Sequence, residues 1–152
     1  MIIPDVNLLL YAYDSDSPYH KKAADWWKAC VGGKEVVGIP AVVLTGFLRI
    51  VTNPRVFEAP MPVKEAAQQI RAWLQYPRVQ VLEFGGELFE RMLTLVEDLG
   101  TAGNLVTDAQ IAATALAYGG TVHTMDTDFV RFAGVRWFNP ITGLGSGSVR
   151  RS

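Results

Sequence analysis

The sequence predicts an α/β fold: a three-layer α/β/α sandwich around a central, mainly parallel five-stranded sheet. Three observations predict it. Short β-like runs alternate with longer helical segments along the chain. Strands separated by helices pair in parallel through crossovers, and the crossing helices cover both faces of the sheet. The length of 152 residues is enough for one domain with a proper core.

The elements follow in order. Met1–Pro4 reads as a first strand and Val6–Asp14 as a first helix. Pro18–Val31 is a second helix, with Ser17 as N-cap, Pro18 at the first helical position and Gly32-Gly33 as its stop. "VVGIP" at 36–40 is a strand, and Ala41–Val51 is an apolar helix ending before Asn53-Pro54. Val63–Leu74 carries Ala66, Ala67, Ile70 and Leu74 at helical spacing. "VQVLEF" at 79–84 alternates as a strand does. Glu87–Leu99 is a helix stopped by Gly100, and Val106–Tyr118 is one closed by Gly119-Gly120. "TVHTM" at 121–125 and "VRWF" at 135–138 complete the strands. The tail "GLGSGSVRRS" has a flexible composition.

The totals exclude several classes. Apolar residues are 49% and charged residues 19%, which separates this chain from disordered ones. No apolar run reaches the length of a membrane-spanning helix. "MIIPDVNLLLYAYD" lacks a positive leader and reads as the first structural element, not a signal peptide. Cys30 is the single cysteine, which rules out an internal disulfide and a Cys-based zinc site and fits a reducing cytoplasm. A formal net charge of −1 gives no global attraction to nucleic acid, so any such binding needs a local basic surface.

In a doubly wound sheet, ligands bind outside the carboxyl ends of the strands, where strand order reverses. Asp5 follows the first strand directly, Asp126 follows the fourth, and Asp128 lies two residues on. If strands one and four are neighbours, these carboxylates converge. Asp108 sits in "GNLVTDAQIAATALAYGG", where Thr107 and Gln110 have capping-box spacing and place Asp108 in the first helical turn. Each has a plain alternative. Asp5 is also a good turn or cap residue, "DTD" at 126–128 is also an Asx-turn before a helical turn at Phe129–Phe132, and Asp108 also suits a helix dipole. Jointly the four are harder to explain as separate caps. Clustered carboxylates without Lys or Arg are tolerable when a divalent cation lies between them. All-oxygen ligands favour Mg²⁺ or Mn²⁺ over zinc.

"PDVNLLLYAYD" at 4–14, "TNPRVF" at 52–57, "GTAGNLVTDAQIAA" at 100–113 and "MDTDF" at 125–129 resemble the PIN-domain ribonucleases, and more narrowly the VapC toxins of bacterial VapBC toxin–antitoxin pairs. The pattern runs to about Pro140, which implies a PIN domain over 1–140 and a flexible tail over 141–152. The resemblance implies a cytoplasmic Mg²⁺-dependent endoribonuclease, with Mn²⁺ as substitute, that hydrolyses cellular RNA to 5′-phosphate products. It implies inhibition by a small VapB-like antitoxin, and commonly a homodimer. By resemblance Asp5 and Asp108 are the first and second metal ligands. Asp126 shapes the metal pocket, Asp128 acts through water, and Asn7 supports the site. One departure stands out. Many relatives carry a Glu in the helix after the second strand. Here Gly46 falls in that slot, and no carboxylate occurs from 36 to 57.

Arg49 and Arg55 are candidate contacts to RNA phosphates or the antitoxin, with solvated surface charge as the alternative. Trp26 and Trp27 point to different sides of their helix, so one belongs to the core and the other to a surface. His20 and His123 are too few and too separated for a histidine site. Two other functions compete. A receiver- or phosphatase-type site also starts from an Asp after the first strand, but the later strand ends here, "MDTD" and "FNP", supply no Lys. A PIN-like module without catalysis would follow from the acid missing at Gly46.

Overall fold

The computed structural model describes residues 1–149. The strands are β1 (Ile2–Pro4), β2 (Val37–Pro40), β3 (Val79–Leu82), β4 (Thr121–His123) and β5 (Arg136–Phe138). The helices are α1 (Val6–Tyr13), α2 (His20–Val31), α3 (Ala41–Val51), α4 (Val63–Gln75), α5 (Gly86–Leu99), α6 (Val106–Tyr118) and a single turn, α7 (Ser146–Val149). Short 3₁₀ turns cover Gly103–Leu105 and Thr127–Arg131.

The strands form one sheet in the order β3-β2-β1-β4-β5, with every pairing parallel. Burial follows that order. Every residue of β1 and β2 is buried, inner strand β4 buries Val122 with Thr121 and His123 half-buried, and edge strand β3 exposes Gln80 and Val81. The chain leaves β1 toward one side and returns through β4 on the other, so strand order reverses between them. The register Ile2↔Thr121, Ile3↔Val122, Pro4↔His123 makes β1 and β4 end side by side. The Asp5 and Thr124 amides then donate to His123 O and Phe138 O, both at 2.9 Å. The first residues beyond both strands are thereby held.

At two helix starts the capping differs from the sequence reading. α2 begins at His20, two residues after Pro18. Ser17 is not its N-cap, because its hydroxyl accepts from the Tyr19 amide in a preceding turn. α6 begins at Val106 and continues from the 3₁₀ turn, so Thr107 lies inside it and forms no capping box. Asp108 remains in the first turn. β4 ends at His123 rather than Met125, so Thr124 and Met125 separate the strand from Asp126. Gly119, at φ 64°, closes α6 in the left-handed region, where a side chain would be strained. The next residue, Gly120, has no room for a Cβ, which would sit 2.5 Å from Ile3 Cδ1. This glycine pair lets β4 start tight against β1.

An aromatic cluster fills the space among α1, α2, α3 and α4. Trp73 packs on Phe47 with ring centroids 4.8 Å apart, on Trp27 at 5.5 Å and on Tyr13 at 5.7 Å. Its indole N–H donates to Tyr13 Oη at 3.0 Å. Trp27 is thus the core tryptophan. Trp26 is half-buried and donates from Nε1 to His123 Nδ1 at 2.9 Å. His123 is therefore structural, and burial pushes its pKa down to about 4. Cys30 is buried as well, and burial pushes its thiol up to about 12.

After Pro140 the chain turns back. Asn139 N–H donates to Leu144 O at 2.7 Å, Gly145 bridges Phe138, and Trp137 N–H donates to Ser146 Oγ at 3.2 Å. Within the tail expected over 141–152, residues 150–152 lie outside the described residues. No helix among the described residues is long and apolar enough to cross a membrane.

Candidate metal centre

The fold brings Asp5, Asp108 and Asp126 together. One carboxylate oxygen from each lies within 4.8 Å of those of the other two. Three elements supply them. Asp5 caps α1 directly after β1, Asp108 rises from the first turn of α6, and Asp126 starts the 3₁₀ turn after β4. Asp5 and Asp126 lie beyond the ends of β1 and β4, where strand order reverses, and Asp108 joins them from α6.

Hydrogen bonds fix two of the three. Asp5 is 3% exposed; its Oδ1 accepts from the Val6 amide at 2.7 Å and its Oδ2 from the Thr124 hydroxyl at 2.8 Å. The Thr124 hydroxyl oxygen in turn accepts from the Asp126 amide at 2.8 Å. Asp126 Oδ1 accepts from the Asp128 amide at 2.8 Å, the Asx-turn anticipated for "DTD". Thr124 therefore joins the Asp5 carboxylate after β1 to the Asp126 backbone after β4. It is 1% exposed. Sequence reasoning assigned it to a strand and missed this role. The available signal was a hydroxyl two residues ahead of an Asp, the spacing of a side-chain-to-backbone turn.

The electrostatics are unfavourable to a bare pocket. Burial pushes the Asp108 carboxyl up to about 7, and the charges of Asp126, Asp5 and Asp128 add to the rise. Burial also raises Asp5, more than its bonds from Thr124 and Val6 lower it. The ion pairs among the described residues are Met1 with Glu35 and Lys21 with Asp25, so none brings a cation to these acids. Oxygen donors on three sides, mutual repulsion and no basic partner fit a hard divalent ion.

The remaining expected residues fall outside the three-carboxylate cluster. Asp128 sits beside it, adding its charge and giving its amide to Asp126. Asn7 is half-buried in the first turn of α1. Arg49 and Arg55 are exposed, one in the last turn of α3 and one in the loop after it. Gly46 is buried in α3, and a Cβ there would meet Val6 Cγ2 at 3.6 Å, an ordinary contact. Gly46 thus adjoins the residue whose amide binds Asp5, and it has room for a Cβ.

Residues 2–135 match the PIN domain family. The chain is 44% identical over 141 residues to ribonuclease VapC33 of Mycobacterium tuberculosis, covering 93% of this chain and 99% of that protein. The chain belongs to the VapC family of PIN-domain proteins. Solved structures of the family agree in fold. VapBC2 from Rickettsia felis, bound to a DNA fragment from its promoter, aligns with a TM-score of 0.66 at 19% identity, covering 91% of this chain and 98% of that one. The sarcin–ricin loop cleaving toxin VapC20 of M. tuberculosis aligns at 0.65 and 19%, covering 89% and 96%. In this VapC-family chain the acids lie where the parallel sheet of a PIN domain presents its strand ends.

Proposed function

We propose that the protein is the toxin of a VapBC pair, a metal-dependent endoribonuclease held in check by a VapB-like antitoxin. The observation that carries this reading is the convergence of Asp5, Asp108 and Asp126 without a basic partner. The named activity of VapC33, at 44% identity over nearly the full length of both chains, supports RNA as substrate. The VapBC2 complex supports an antitoxin partner. We take the PIN domain as 1–140, acting in the cytoplasm, where its RNA substrates are.

Asp5, Asp108 and Asp126 would hold Mg²⁺, or Mn²⁺ in its place. Such an ion, when bound, supplies positive charge to the phosphoryl oxygens and lowers the pKa of the attacking water. The protein's own part is placement. Thr124 and the Val6 amide fix both oxygens of Asp5, so its remaining lone pairs point in a set direction. Asp128 adds negative charge beside the pocket and suits the alignment of water. Water attacking phosphorus in line with the departing 3′ oxygen leaves a 5′-phosphate, and accurate placement provides most of the acceleration. Arg49 and Arg55 remain candidates for RNA phosphate or antitoxin contact. Phe89 and Leu93, 49% and 43% exposed and one turn apart on α5, suit a homodimer face.

The test is cleavage of RNA with Mg²⁺, Mn²⁺ or EDTA. Cleavage that needs the ion, and is lost in both Asp5→Asn and Asp108→Asn, is expected. Equal cleavage by wild type and both variants would reject the reading. A second reading, a module that binds RNA or a partner without cutting it, draws on Gly46. In that case Mn²⁺ binds weakly and wild type leaves RNA intact.

A further inference from the structure

The backbone at Asp5 is anchored from one side of the sheet. Among the described residues β1 registers with β2 through Ile2↔Val37 alone, and Pro4, which has no N–H, offers β2 no donor at the strand's carboxyl end. On the β4 side the register extends to Pro4↔His123, and the Asp5 amide donates to His123 O at 2.9 Å. The residue after His123 is Thr124, whose hydroxyl donates to Asp5 Oδ2 at 2.8 Å. The backbone of Asp5 and one of its carboxylate oxygens are therefore both set by where the end of β4 stands.

β4 has only 3 residues, so it carries few ladder bonds of its own. A side-chain tie at its last residue adds to them. The His123 ring meets Phe138 of β5 edge-on, with centroids 5.2 Å apart, and Trp26 of α2 at 5.9 Å and a tilt of 32°. Trp26 also donates from Nε1 to His123 Nδ1 at 2.9 Å, across 97 positions of sequence. An accepting Nδ1 carries no proton, so the bond selects the tautomer protonated on Nε2 and fixes the orientation of the ring. The Trp73 indole N–H, by contrast, is satisfied within the aromatic cluster by Tyr13 Oη.

The geometry points to Trp26 as a positioning residue of the metal centre: through the His123 ring it holds the end of β4, and through that end the Asp5 carboxylate, where a cation needs it. The inference rests on the metal-dependent reading above. Contacts outside the ligands orient them and raise affinity for the ion. Thr124 touches Asp5 directly, whereas Trp26 acts one step further out, so its effect is the smaller of the two. A tryptophan that merely packed would support the stability of the fold and leave the affinity of the folded protein for metal unchanged.

The test is calorimetry with Mn²⁺ on the full chain, with the unfolding stability of each variant measured in urea beside it. Trp26→Phe keeps an aromatic ring and removes the N–H. It lowers Mn²⁺ affinity roughly three- to tenfold, below the roughly 10–100-fold of a partner that touches a ligand. His123→Leu removes the acceptor and has the same effect. The double variant is no weaker than the weaker single one, because both break one contact. His123→Asn, whose Oδ1 can stand where Nδ1 stood, recovers most of the affinity. Leu82→Ala is the comparison for packing alone. Leu82 is 2% exposed on β3, at the sheet edge opposite β5, and its truncation lowers stability while Mn²⁺ affinity is retained. In nuclear magnetic resonance, Mg²⁺ moves the indole N–H signal of Trp26 and leaves that of Trp73 in place, and Asp5→Asn removes the movement. Unchanged Mn²⁺ affinity in Trp26→Phe overturns the inference. Additive losses in the double variant overturn it too, as does an equal loss in Leu82→Ala. If wild type cleaves RNA with Mn²⁺ and Trp26→Phe binds the ion as tightly, only this inference falls. A wild type that binds no Mn²⁺ brings down the metal reading with it.

Discussion

The carboxylate pocket and the aromatic cluster are joined by one helix and built on opposite principles. Asp5 caps the start of α1, and Tyr13, the last residue of α1, packs on Phe47 and Trp73. At the aromatic end, burial removes apolar surface from water, and each ring pair adds about 0.5–1.5 kcal/mol beyond area. At the other end, burial gathers like charges without a cation and drives Asp108 up to about 7. One end contributes stability, and the other costs it. The lesson is that the pocket is held against its own repulsion by the rest of the fold.

The sharpest way to break this contrast is at its two ends. Asp5→Asn is expected to abolish metal-dependent RNA cleavage while the chain still folds, as read by circular dichroism. Trp73→Ala should do the reverse. It should lower unfolding stability by about 3–5 kcal/mol in a urea titration, with Mn²⁺ affinity of the folded fraction retained. If Trp73→Ala weakened the metal site as much as the fold, the two ends would not be separable.

Thr124 tests the link between the strands. Thr124→Val removes the hydroxyl that joins Asp5 to the Asp126 amide. A supporting contact of this kind is worth roughly 10–100-fold in metal affinity. Calorimetry with Mn²⁺ should show that loss, and Thr124→Ser should recover most of it. Equal affinity in the Val variant would mean that the acids position themselves.

The pH dependence sharpens the same comparison. A carboxyl whose folded pKa lies above its unfolded value holds its proton more tightly when folded. Asp108 therefore leaves stability intact below the ordinary carboxylate range, and the metal-free protein loses it as pH rises from about 4 to about 7. His123 acts in the opposite sense. Its folded pKa of about 4 lies below the ordinary value of 6.5, so stability is lost as pH falls through that interval. Thermal melts of the metal-free protein should lose their neutral-side decline in Asp108→Asn and their acid-side decline in His123→Phe. Saturating Mn²⁺ should also remove the neutral-side decline.

The smallest expected effect is a gain. Gly46→Glu places a carboxylate at a buried position of α3 beside Val6, where its Cβ has room. Mn²⁺ affinity should rise by severalfold. No change in affinity would count against Gly46 as the slot of a lost ligand.

Much of the molecule was legible without coordinates, for identifiable reasons. The five strands and the main helices were readable because Gly and Pro end them and because helical and strand periods differ. The bounds of α3 and α6 coincide with the sequence reading. The start of α2 did not, because Ser17 and Pro18 suit a turn as well as a cap. The Asx-turn at Asp126 was readable, being a contact between near neighbours in sequence.

The sequence by itself determined which residues follow strands or begin helices, and hence which acids were available to meet. Local spacing carries that information, since turns and periodicity act over a few residues. Only the tertiary structure decided that they meet. The pairing of β1 with β4 brings Asp5 to Thr124 across 119 positions, and no local pattern specifies such a partner. The same packing desolvates Asp108 and leaves its charge unmatched, because burial is a property of the assembled fold and not of any segment.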